Sequence, residues 1–193
     1  MGRSMQSDQI TTDFPAVFPL RGHRTHEVCG PGAAGFAAAC FAAVEGPVLW
    51  AVEDWRQDGL NPVALSEFRD PGQLLTARCK TQTDVLAVAE EGLRDGALGL
   101  VVAEISQPIG LTEGRRLQLA ATAGKTPGLL IVPEGMGSNA AETRWRCAPY
   151  FDRQDSTLLR WSLIKNKKGT LVDWVVRWDV ASRRIIVVSK VRE

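Results

Sequence analysis

Residues Gly30 to Ala37 read Gly-Pro-Gly-Ala-Ala-Gly-Phe-Ala. Gly30 and Gly35 have the spacing of the glycines in G-x-x-x-x-G-K-[ST], the loop that cradles phosphate between a strand and a helix. The two positions that would do the ionic work are changed. Phe36 stands where a lysine would neutralise the β- and γ-phosphates, and Ala37 where a hydroxyl would hold Mg²⁺. A phenyl ring and a methyl do neither job. The frame is therefore a degenerate Walker A loop: no cofactor, ATP hydrolysis or tight ATP binding is expected, and function is expected on the protein's surfaces. Its remaining N–H groups, at a helix N-terminus, are expected to hold sulfate or phosphate only weakly. Phe36 is expected to be buried between that helix and the sheet, in the space a nucleotide would take.

Other chemistry is thinner. Glu53, Asp54 and Glu104 close apolar runs and read as carboxylates at strand C-termini, where α/β sites lie. Without a lysine and a hydroxyl in the loop they have no phosphate to act on, so a vestigial role is expected. Ser66 and Ser106 lack a G-x-S-x-G context. His23 and His26 have no carboxylate or cysteine cluster beside them, and the four cysteines, Cys29, Cys40, Cys79 and Cys147, form no C-x-x-C pair, so no metal site is expected. Net charge is +1, which gives no bulk argument for nucleic acid or an acidic membrane. Three basic seats stand out locally: Arg115-Arg116, the turn Lys165, Lys167 and Lys168, and Arg144-Trp145-Arg146, an aromatic between guanidiniums that suits phosphate contact with stacking. Each has a blander reading as a solvated helix start, a solvated turn and an edge strand.

The elements that must position these residues follow from periodicity. Residues 1–20 are polar, then carry Phe14-Pro15 and Phe18-Pro19, and read as a flexible arm whose aromatics dock on the domain or a partner; 21–193 reads as one domain. The start lacks an apolar signal core and no apolar stretch is long enough to span a bilayer, so a cytoplasmic location is expected. His26–Cys29 is a strand and Ala33–Val44 a helix, apolar on all sides and hence buried. Pro47–Val52, Leu98–Ala103 and Leu129–Val132 are short apolar runs of the kind found in buried parallel strands. Val63–Phe68 reads as a short helix and Leu74–Ala77 as a short strand. Thr81-Gln82-Thr83-Asp84 has capping-box spacing before Val85, Leu86, Ala89 and Leu93, with Gly96 as C-terminal cap. Thr112 is expected to cap another helix ending before Gly124. After about residue 140 the period becomes two: Leu159, Trp161 and Leu163, then Val172, Trp174, Val176 and Trp178, then Ile185–Val188. This is an antiparallel meander, with Trp145, Trp161, Trp174 and Trp178 expected mostly in its core. Arg183–Val191 reads as an exposed edge strand. The fold class is α/β, a mainly parallel sheet flanked by helices with a C-terminal antiparallel meander.

The order of these pieces resembles the RecA core from about residue 20 to 190. The loop follows the first strand, Leu49–Asp54 takes the second, Gln73–Arg94 matches strand, loop and helix, Leu100–Glu104 the Walker B strand with Glu104 in the metal position, and Leu129–Glu134 the strand before a DNA-binding loop. Finer blocks are similar to the ImuA branch: His26-Glu27-Val28-Cys29-Gly30-Pro31-Gly32-Ala33-Ala34-Gly35-Phe36, Gly46-Pro47-Val48-Leu49-Trp50, Leu60-Asn61-Pro62, Arg115 to Ala120, and Thr143-Arg144-Trp145-Arg146. That branch comprises RecA- and SulA-related proteins of the damage-inducible mutagenesis cassette. The resemblance implies a non-catalytic accessory protein of translesion DNA synthesis. Implied partners are an ImuB-like Y-family polymerase relative, an error-prone DnaE-type polymerase and RecA, with self-association also expected. The stretches matching RecA's DNA loops, 106–114 and 134–143, are short and almost uncharged, so strand exchange is not expected. A SulA-like inhibitor of FtsZ and a residual ATPase are the competing classes. Arg144, Trp145, Arg146, Ile185 and Val187 are the candidate partner-binding residues.

Overall fold

The computed structural model describes residues 14–56, 60–167 and 171–191. Nine strands among them form a single sheet: β1 (Thr25–Cys29), β2 (Val48–Glu53), β3 (Leu74–Cys79), β4 (Leu100–Glu104), β5 (Gly128–Ile131), β6 (Thr143–Pro149), β7 (Leu159–Asn166), β8 (Val172–Asp179) and β9 (Arg184–Val191). Their order is β3-β2-β4-β5-β1-β6-β7-β8-β9. Neighbours from β3 to β6 pair in parallel, and β6 to β9 pair antiparallel. The α/β class expected from the sequence is the one observed.

Helix α1 (Ala33–Ala42) covers one face of the sheet, with the short α2 (Pro62–Ser66) beside it on the Asn61 side-chain cap. Helices α3 (Gln82–Asp95) and α4 (Leu111–Gly124) cover the other face of the parallel half. This is why the strands there are apolar on both sides. α3 has the expected capping box, with the Thr81 hydroxyl accepting from the Asp84 N–H, and Gly96 closes it at φ 80. α4 departs from expectation. Gly110, not Thr112, is its N-cap, and Gly124 lies inside its last turn, with Lys125 taking the left-handed position at φ 58. The ends of α3 and α4 meet so closely that a Cβ at 124 would sit 2.0 Å from the Leu93 carbonyl oxygen.

β6 is the joint of the molecule. It runs parallel to β1, with His26 opposite Thr143, and antiparallel to β7, with Cys147 opposite Trp161. Arg144-Trp145-Arg146 is therefore central strand, and the edge-strand reading is corrected. The meander alternates as expected: Trp145, Trp161, Leu163, Trp174 and Val176 are buried on the α1 side. The arm reading is corrected in part. Phe14 and Phe18 are buried in that same core, their rings 5.2 Å from Trp174 and from Trp161. The chain from Phe14 onward thus belongs to the domain, while residues 1–13 lie outside the described residues. The edges of the sheet are β3 and, as expected, β9.

Candidate functional site

The loop after β1 is held against β6. Gly30 has φ +90, and a Cβ there would lie 2.5 Å from the Cys147 carbonyl oxygen. The Gly32 N–H donates to that same oxygen at 2.8 Å. α1 begins at Ala33, two residues before the second motif glycine. Alanines favour the helix and Pro31 suits a position just ahead of it. Only Gly30, Pro31 and Gly32 therefore remain as loop. Pro31 has no N–H and that of Gly32 is taken, so a ring of converging donors does not form. Gly35 sits within the first turn of α1, where an added Cβ would meet nothing within 4 Å.

Phe36 is fully buried, as expected, with ring centroids 4.6 Å from Trp161, 5.3 Å from Trp145 and 5.8 Å from Phe18. It does not fill a nucleotide space. The cleft at the loop mouth, about 560 Å³ and open, is lined by Gly30, Pro31, Ala33, Arg56, Glu134 and Arg146 among others, and Phe36 is not one of them. The ring points into the aromatic core because the helix starts early and turns position 36 toward the meander.

The carboxylates do not converge. Glu53 ends β2 and Glu104 ends β4, and strand alternation sends them to opposite faces of the sheet. Glu104 accepts from the Trp50 indole N–H at 2.8 Å and is ion-paired with Arg56. Glu53 is buried and accepts from the Ser106 hydroxyl. Asp54 is exposed. The parallel core, the single antiparallel extension and the loop at the mouth of β1 together match one known architecture.

The fold is RecA-like. A solved structure, the RadB recombinase, superimposes with a TM-score of 0.65, covering 86% of this chain and 90% of that one at 13% identity. No protein-family model matches the sequence, and no curated protein matches it.

On this RecA-like frame the other sequence candidates separate. Arg144, Trp145 and Arg146 are not a stacking face. Trp145 is fully buried and its indole N–H donates to Thr143. Arg144 is spent on Glu27, which has no exposed surface: its Nε lies 2.7 Å from Glu27 Oε2, and its other arm donates to the Ser138 carbonyl at 2.9 Å. Arg146 pairs with Glu134 at 2.8 Å. The basic turn is also committed inward. Lys165 donates to the carbonyls of Ser138 and Asn139, and Lys167 to that of Ala140. Burial lowers the Lys165 pKa. These lysines pin the segment before β6. Lys168 lies outside the described residues. Arg116 bridges to Glu90 at 2.7 Å, and Arg115 is exposed. Ile185 and Val187 are half-buried against the aromatic core, so the residues β9 turns outward are Ile186 and Val188.

His26 is buried with both ring nitrogens engaged. Nε2–H donates to the Arg21 carbonyl at 2.9 Å, and Nδ1 accepts from the Thr143 hydroxyl at 2.7 Å. Loss of water lowers its pKa to about 4, so it is neutral. The four cysteines are free and buried, and burial raises each thiol's pKa. No helix among the described residues is long and apolar enough to cross a membrane.

Proposed function

We propose that this protein is a non-catalytic accessory factor of damage-induced translesion DNA synthesis, resembling ImuA, which binds an ImuB-like Y-family polymerase relative and through it RecA and a DnaE-type polymerase. One observation carries the non-catalytic part. The helix that should begin after the phosphate loop begins inside it, and the residue in the lysine position is core. A RecA-like fold supports the DNA-repair setting, and the ordered ImuA-like blocks support the narrower one. Such a chain acts through what it binds, and an edge strand β9 unpaired among the described residues supports this reading.

Two measurements on the purified full chain test this. Titration calorimetry with Mg²⁺-ATP is expected to give no heat at micromolar concentrations. Micromolar, Mg²⁺-dependent binding would return the protein to the ATPases. A pull-down against an ImuB-like protein, RecA and FtsZ is expected to capture the first. Capture of FtsZ alone would replace the reading with a SulA-like division inhibitor.

A further inference from the structure

The hairpin between β8 and β9 adds a groove and two arginines to the edge strand already singled out in the sequence. Beside it lies an open groove of about 530 Å³, lined by Phe14, Phe18, Ala39, Ala42, Trp178 and Ile185 among others. Arg183 and Arg184 line the same groove, both are exposed, and among the described residues neither has a carboxylate within ion-pair distance. The nearby acid, Asp179, instead closes the turn by accepting from the Ser182 N–H and hydroxyl. β9, which supplies Arg184 and Ile185 to this lining, is the last strand of the sheet, and its outer edge is unpaired among the described residues.

We infer that this corner binds an extended protein segment with alternating apolar residues and a carboxylate at the end that meets the hairpin. A strand added to β9 places alternate side chains on the groove side next to Ile185 and Val187, and the others next to the exposed Ile186 and Val188. Its terminal Asp or Glu then reaches the two guanidiniums, which favour planar carboxylate recognition. The two exposed guanidiniums favour an acidic segment over the β9 strand of a second copy, which itself brings Arg183 and Arg184. The inference rests on the accessory reading only for the class of partner, a protein.

The probe is a fluorescein-labelled peptide of alternating Val and Phe ending in Asp-Glu, titrated into the full chain and read by anisotropy. Binding is expected, with slowed amide exchange along β9. Arg183→Glu with Arg184→Glu is expected to weaken it by about tenfold or more, equivalent to about 1.4 kcal/mol, and a Lys-Lys-ended peptide is expected not to bind. Melting curves check that the variant folds; should it not, Arg184→Gln and the groove-filling Ala42→Leu serve instead. Equal binding of the acidic and basic peptides, unchanged affinity in the arginine variants, or unchanged β9 exchange overturns the inference. So does a concentration-dependent dimer that the same substitutions dissolve, or peptide binding that appears only after deletion of residues 1–13. A parallel pull-down separates the two readings. A chain that binds the peptide but not the ImuB-like protein refutes the proposed function alone; one that binds that protein regardless of Arg183 and Arg184 refutes this inference alone.

Discussion

Two adjacent residues of the loop motif should respond to alanine in opposite directions. Gly35 is helical, and its missing Cβ faces empty space. Gly35→Ala therefore gains helix propensity, about 0.5–1 kcal/mol, with no clash to offset it. Phe36→Ala removes a fully buried ring with three aromatic neighbours at 4.6–5.8 Å. Phenylalanine truncation in a core costs about 3–5 kcal/mol, and offset aromatic pairs add about 0.5–1.5 kcal/mol each beyond area. The upper end of that range is therefore expected. Against a total stability of about 5–15 kcal/mol, this loss shifts the unfolding midpoint far to lower denaturant. Urea titration followed by tryptophan fluorescence measures both variants. A working phosphate loop would give the reverse ordering, with glycine structurally required and position 36 replaceable. A loss above about 1 kcal/mol for Gly35→Ala, or below about 1 kcal/mol for Phe36→Ala, would refute the geometry described for α1.

Three other outcomes are expected. His26 is held neutral when folded, with a pKa of about 4 against 6.5. In that window the unfolded chain binds a proton that the folded chain does not, so stability is full above pH 6.5 and falls with pH, by about 3 kcal/mol once pH 4 is passed. His26→Gln should flatten this slope in urea titrations at pH 7, 5.5 and 4.5. Arg144→Ala strands the buried Glu27 carboxylate and frees the segment around Ser138. A cost of about 3–5 kcal/mol and faster proteolysis near residue 138 are expected. Gly30→Ala combines a positive φ with a backbone clash at 2.5 Å. It should destabilise the fold by more than about 1 kcal/mol, and a neutral melting curve would contradict the packing of the loop on β6.

Local signals carried the parallel half into view. The Thr81 capping box, Gly96, and the apolar runs at Pro47–Val52 and Leu98–Ala103 are short-range features, and the structure realises each to within two residues at its ends. The period-two pattern of Trp161, Leu163, Trp174 and Val176 likewise gave a one-sided meander. What sequence did not reveal depends on distant partners. The start of α1 at Ala33 was legible, but the loop before it is held by a carbonyl of residue 147, more than a hundred positions away. Arg144 and Trp145 resemble a nucleic-acid contact until Glu27 and Phe36 are placed beside them. Lys165 and Lys167 look solvated until the carbonyls of residues 138–140 arrive. The charge beside the groove had a faint signal, the doublet Arg183-Arg184 after a hairpin turn, but its meaning lies in the absence of neighbouring acids among the described residues.

The position of β1 imposes a timetable on folding. It lies between β5 and β6, pairing His26 with both Leu129 and Thr143. During synthesis both of its edges stay open until more than a hundred further residues have been made, and the Phe36 side of α1 waits longer still for Trp161. The β2–β4 region, with α3 between β3 and β4, is built from closer neighbours and can assemble first. The nascent chain therefore carries an uncovered strand and an aromatic helix through most of translation, a state prone to mispairing. Chains cut short before Thr143 should persist only in complex with a chaperone or be degraded.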